Sequence, residues 1–213
     1  MPFFLDSNVL IGFYFSCADQ WGNQAKKVIE KTGVKHSSTT VWHECFGDGG
    51  AGKCRTIFYE IKDEFRAAIN LLTKENYPPT ELFCLAVAEK WKTLEIFQEL
   101  VGKYQHDTKE LVRKIRKAEW KYESDCDTRL AQLRKPAVLQ IHSRVNEYLA
   151  TKRHLDTMIE DPSDVVIVLD AHHVGGIIQD LNFVTGDHNH IVRHRDFIVQ
   201  HTNISDVTFL DYV

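Results

Sequence analysis

The sequence predicts an α/β fold, a parallel sheet flanked by helices with a large helical insertion, and three observations carry that prediction. Short strand-like runs alternate with helical stretches over residues 1–55. The same alternation returns over residues 160–213. Between them, residues 56–159 show helical periodicity and no strand pattern. Strand–helix alternation favours a parallel sheet. Both ends of the chain are therefore expected to share one core, within a single domain of 213 residues that the helical insertion interrupts.

Phe3 to Leu5 reads as a short buried strand, Asp6-Ser7-Asn8 as a turn, and Val9 to Phe15 as the start of a helix. Residues 19–31 suit a second helix. Val34 to Thr40, rich in Ser, Thr and Val, suits a second strand, and a helix carrying Trp42, His43 and Glu44 follows it into a glycine-rich turn. In the insertion, Ile57, Ile61, Phe65, Ile69 and Leu72 fall three or four residues apart, the spacing of one apolar helix face. Pro78-Pro79 ends that stripe, Phe83, Val87, Trp91, Leu94 and Val101 mark one further helix, and Pro136 separates two more. Pro162 stands at a helix start and Gly175-Gly176 at its stop. Asn182 to Thr185 and Val207 to Leu210 read as the closing strands.

The formal net charge is −4, so nucleic acid, if bound, must meet a local basic patch rather than a polycation. Five cysteines, odd in number and without a C-x-x-C pair, suggest neither a disulfide framework nor a zinc knuckle. A reducing, cytoplasmic setting is the simplest expectation. The apolar start MPFFLDSNVLIGFYF lacks a basic flank and is interrupted by Asp6 and Asn8, so no signal peptide and no membrane span are expected.

Ligands of open parallel sheets sit outside the carboxyl ends of the strands. Asp6 follows the first strand, Glu44 lies in the helix after the second, Asp164 lies in the first turn of the DPSDVVIVLDAHH helix, and Asp187 follows NFVT. Four carboxylates on one edge repel one another unless a cation neutralises them. Oxygen ligands without Cys or a His triad favour a hard ion, Mg²⁺ or Mn²⁺. Such an ion activates water and steadies a phosphoryl group, which points to a phosphodiester or phosphate hydrolase. Each acid also has a plain structural reading. Asp6 and Asp161 suit helix caps, and Asp170, six residues past Asp164, falls on a different helix face, as a supporting or surface group.

FFLDSNVLI, STTVWHECF, DVVIVLDAH and FVTGD, in that order, resemble the four acidic segments of the PIN-domain ribonucleases, which include the VapC-type toxins. The resemblance covers residues 2–46 and 161–211. It implies a PIN-like sheet with the insertion between the second and third acidic motifs. It also implies that Asp6, Glu44, Asp164 and Asp187 hold one or two Mg²⁺ or Mn²⁺ ions, that Asn8 orients Asp6 or a metal-bound water, and that Thr185 supports the fourth acid. The implied activity is metal-dependent endoribonuclease cleavage, by a stand-alone enzyme or by the toxin of a toxin–antitoxin pair with an antitoxin partner. A homodimer is a further expectation. The gap from Glu44 to Asp164 is longer than in the compact toxins, and Asp161 and Asp170 compete with Asp164 for the third position.

Lys109, Arg113, Arg116 and Lys117, with Trp120 and Tyr122 beside them, offer an RNA-binding helix face if the insertion lies over the acids. The plain alternative is a solvated helix. His172, His173, His188, His190 and His194 gather near the same segments but match no zinc-protease pattern. Gly47 to Lys53 has the spacing of a phosphate-binding loop, with Cys54 in place of Ser or Thr, and reads better as a turn between helices. Three rivals remain: a haloacid-dehalogenase-type phosphatase, which would want Asp at position 8 instead of Asn8, a non-catalytic RNA- or partner-binding module, and a nucleotide binder using Lys53.

Overall fold

The computed structural model describes residues 1–15, 22–47 and 52–212. Residues 19–21 of the expected second helix and 48–51 of the glycine run lie outside the described residues. Five parallel strands form one sheet in the order β3-β2-β1-β4-β5. They are β1 (Phe3–Leu5), β2 (Lys35–Ser38), β3 (Leu139–His142), β4 (Asn182–Thr185) and β5 (Asp206–Phe209).

The apolar β1 sits at the centre, paired with β2 on one side and β4 on the other. Strand β2, KHSS, is polar yet wholly buried. Burying polar groups is tolerated only when each finds a partner, and each does. Lys35 Nζ donates to the carbonyls of Lys31 and Gly33. His36 Nδ1 meets His142 Nε2 at 3.0 Å, Ser37 Oγ donates to the Leu5 carbonyl at 2.9 Å, and Ser38 Oγ accepts from Val41 N at 3.2 Å as a helix cap.

Helix α1 (Ser7–Tyr14) starts two residues earlier than the sequence suggests, because Asp6 accepts from Ser7 N and acts as the cap. Helices α2 (Gly22–Glu30) and α3 (Thr39–Phe46) flank the first half of the sheet. The insertion comprises α4 (Lys53–Lys74), α5 (Pro79–Ala88), α6 (Leu94–Tyr104) and α7 (Thr108–Leu133). The stripe read from the sequence is its core: Ile61, Phe65 and Leu72 are buried. The single helix expected over Phe83 to Val101 is two, broken at a turn where Trp91 N bonds the Ala86 carbonyl and Lys90 takes a left-handed φ of 53°.

The expectation of no strand between residues 56 and 159 is corrected. Leu139–His142 forms β3, an edge strand paired residue for residue with β2. The stretch after Pro136 therefore joins the sheet, and α8 (Leu149–Leu155) packs on α9 (Pro162–Gly175). Asp161 caps α9 by accepting from Ser163 N, Pro162 takes the first helical position, and the helix is buried on nearly all sides. Helix α10 (Arg195–His201) leads into β5. No helix among the described residues is long and apolar enough to cross a membrane.

Candidate active site at the carboxyl edge of the sheet

From β1 the chain moves outward to β2 and β3, then returns to β4 on the other side of β1. The carboxyl ends of β1 and β4 thus flank the point where the winding reverses, the place where such sheets leave a crevice. Asp6 and Asp187 follow those two strands. Helix α9 runs back toward β4, so its first turn, with Asp164, lies at the same edge. Helix α3 springs from the end of β2 and brings Glu44. One cavity of about 640 Å³ is lined by Asp6, Glu44, Asp164 and Asp187, together with Asn8 and Lys53. The structure therefore gathers the four predicted acids.

Asp6 is 2 % exposed. Its Oδ1 accepts from Ser7 N at 2.6 Å and Ser7 Oγ at 3.2 Å. Its Oδ2 accepts from Thr185 Oγ1 at 2.6 Å and, more weakly, from Asn8 Nδ2 at 3.4 Å. Burial pushes the Asp6 carboxyl above its usual range, the bonds from Thr185 and Ser7 oppose that rise, and the Glu44 charge adds to it. Thr185 Oγ1 in turn accepts from Asp187 N at 2.9 Å, so one hydroxyl ties the acids of β1 and β4 together. Asp187 Oδ1 accepts from His190 N at 2.8 Å. Gly186 leaves room for Asn8: a Cβ there would stand 3.1 Å from Asn8 Cβ.

Asp164 is pushed up from 3.8 to about 7, chiefly by burial and then by the charges of Asp187, Asp161 and Asp6. The cavity is short of positive charge. Lys53 Nζ supplies one, bonding Glu44 Oε1 at 2.5 Å, a contact that raises the lysine pKa. Lys53 is placed by Gly52, where a Cβ would stand 2.4 Å from the Cys45 carbonyl carbon, so only glycine lets α4 begin against the end of α3.

Of the three competing acids, Asp161 and Asp164 line the cavity and Asp170 does not. Asp161 is a solvent-exposed cap that also lines the cavity. Asp164 faces the cavity. Asp170 is neither a surface group nor part of the cavity: it is 2 % exposed and bound to Arg144 Nε at 2.7 Å. Its Oδ2 is buried with no hydrogen-bond partner among the described residues. Sequence reading missed Ser7 and Thr40 as members of the site, and weighed Lys53 only as part of a phosphate-contacting turn. Thr40 had a signal, being four residues before Glu44 on the same helix face.

The basic helix does not stand over the acids. None of Lys109, Arg113, Arg116 and Lys117 lines the cavity. All four are exposed, and Arg113 is bound by Glu110 at 2.5 and 2.7 Å. Trp120 is 68 % exposed, but Tyr122 is buried against Phe15, Phe58 and Phe65 and offers no face to a base. Of the five clustered histidines only His190 lines the cavity. Gly47 and Lys53 link two helices, α3 and α4, where a phosphate-binding loop needs a strand before it.

No family profile matches the chain, and no curated protein and no solved structure matches it either. The chemistry has to be argued from the site. The four acids offer only oxygen donors, and burial first, then the charges of neighbouring acids, raises Asp164 and Asp6, so a hard divalent cation fits the donors and the charge. The spacing is wider than a coordination sphere: among the described residues no three His, Cys, Asp or Glu side chains stand close enough to share an ion. Glu44 would have to leave Lys53 to join one.

Proposed function

We propose that the protein is a divalent-metal-dependent endoribonuclease of PIN type. The observation that carries this reading is the convergence of Asp6, Glu44, Asp164 and Asp187 on one cavity at the reversal point of the sheet. Asp6, Glu44, Asp164 and Asp187 would hold Mg²⁺ or Mn²⁺, which when bound lowers the pKa of a water and neutralises charge on the scissile phosphate. Asp6 is the fixed member, locked through Ser7 and Thr185. Asp164 gives up a proton when positive charge enters the cavity. Lys53, released from Glu44, is left beside the phosphate, where an ammonium steadies developing negative charge.

A second reading has its own support. Asp6, Glu44 and Asp187 already have protein donors, as in a non-catalytic module whose acids serve structure. One experiment separates the two: cleavage of a mixed panel of labelled RNAs with Mn²⁺, with Mg²⁺ and with EDTA. Metal-dependent cutting by the wild type, lost in folded Asp6→Asn and Asp187→Asn, is the expected result. Equal RNA binding by all three proteins with no cutting by any would replace it with the binding module.

A further inference from the structure

Two cavities that the acids do not enter lie on the far side of α3. One, of about 490 Å³, is lined by Trp42, Phe46, Phe58, Tyr59, Arg55 and Arg134, among others. The next, of about 470 Å³, shares Trp42 and Arg134 and extends to Gln140 and His142 beside β3. No Asp or Glu lines either cavity, in contrast to the acid cavity.

The sequence of α3 divides the two sides. Thr40 and Glu44 face the acids, while Trp42 and Phe46, offset by two residues or about 200° of helix, face the aromatic cleft. The start of α4 divides the same way, with Lys53 toward the acids and Arg55 toward the cleft. A single helix, about 10 Å across with its side chains, therefore separates the cleft from the acid cavity.

The cleft combines ring faces with cations. Trp42 lies 4.5 Å from Phe46, centroid to centroid, and is only partly buried. Tyr59 is 47 % exposed, and the Arg55 guanidinium lies 5.7 Å from its ring centroid. Arg134, at the end of α7, is exposed. Aromatic faces stack unpaired bases, and arginines both stack and meet phosphates. A duplex cannot use such a cleft, because its bases are already stacked on one another.

We propose that this cleft is a base-stacking subsite for single-stranded RNA, a few nucleotides from the bond that the acid cavity cuts. The proposal rests on the ribonuclease reading for its substrate, but its test does not depend on cleavage. The occupant is an unpaired nucleotide, its base against Trp42 and Tyr59 and its phosphate toward Arg134.

The experiment is equilibrium binding of a fluorescein-labelled ten-nucleotide RNA, single-stranded or as its blunt duplex, to the full chain in EDTA. Trp42→Ala, Trp42→Phe and Arg134→Ala are compared with wild type, each checked by thermal melting. Wild type should favour the single strand. Trp42→Ala should weaken that binding about 5- to 150-fold, the loss of one stacked base. Trp42→Phe should recover part of it, which a merely structural defect at Trp42 would not. Arg134→Ala, whose side chain is exposed, should weaken it with an unchanged melting temperature. Single-strand binding within twofold of wild type in the folded Trp42 variants, or equal affinity for the duplex, overturns the subsite. If the variants lose binding but the wild type cuts nothing in Mn²⁺, the subsite stands and the nuclease reading falls. If cutting proceeds and the variants bind like wild type, the reverse holds.

Discussion

Asp164→Asn offers the sharpest test of the electrostatics of the acid cavity. The carboxyl is raised from 3.8 to about 7 by burial and by three neighbouring acids. A raised pKa means that the native state holds a proton the unfolded chain has released. Stability is then lost as pH climbs from about 3.8 to about 7 and stays lost above it. At 1.36 kcal/mol per pH unit the full cost would reach about 4 kcal/mol. Asp164 is only partly buried, and solvent screening cuts the expected cost to about 1–2 kcal/mol. Asparagine carries no charge, so the variant escapes it. For a chain of this size the melting temperature should rise by roughly 2–8 °C at about pH 8 and hardly at all at about pH 4. The assay is thermal unfolding in EDTA at the two pH values. Adding Mn²⁺ should reverse the order near pH 8, stabilising wild type more than the variant, because the ion gains from the ionised carboxylate. An equal gain at both pH values, or a loss near pH 8 in EDTA, would refute the argument that burial and neighbouring acids hold Asp164 above its usual range.

Three other substitutions probe separate features. Asp161→Ala should cost about 1 kcal/mol, the loss of a helix cap, and leave RNA cleavage intact where Asp164→Ala abolishes it; cleavage lost in both would make Asp161, which also lines the cavity, a metal-site acid. Arg144→Ala strands a buried carboxylate at Asp170 and should cost about 3–5 kcal/mol in urea unfolding, partly restored by adding Asp170→Asn. Gly52→Ala drives a Cβ into the backbone of Cys45 and Phe46 and should lower stability by roughly 1–3 kcal/mol, as overpacking does. An unchanged urea midpoint would mean that α4 can shift without cost.

The parts of the fold that could be read from the sequence are those with local signals. The strands β1 and β4 are apolar or end in a turn residue, and α9 announces itself through Asp161 and Pro162. Those same elements carry the acids, which is why the site could be assembled from the sequence. The edge strand β3 could not. LQIH has four residues, with Gln140 and Ile141 both exposed, and the Pro136 before it marks a break between elements without saying that a strand follows. Nothing local marks the end of α5 at Ala88, since neither Pro nor Gly stands at Glu89 or at the left-handed Lys90. The Asp170–Arg144 pair spans 26 residues and joins a helix to an irregular segment, which spacing cannot show. Tyr122 was legible in principle: Ile115, Tyr122, Cys126 and Leu133 recur at helical spacing, and all are buried.

The hydroxyl bridge from Thr185 to Asp6 joins residues 179 apart in the chain. Loop closure over such a span is entropically costly and slow to search. Helices α4 to α7 pack on one another through near neighbours in sequence and can form first, drawing the two ends together. During synthesis Asp6 waits for a partner that emerges 179 residues later. A chain halted before β4 would have its helices and part of its sheet but no assembled carboxylate edge. Whatever chemistry that edge performs begins only after β4 has been made and has docked beside β1.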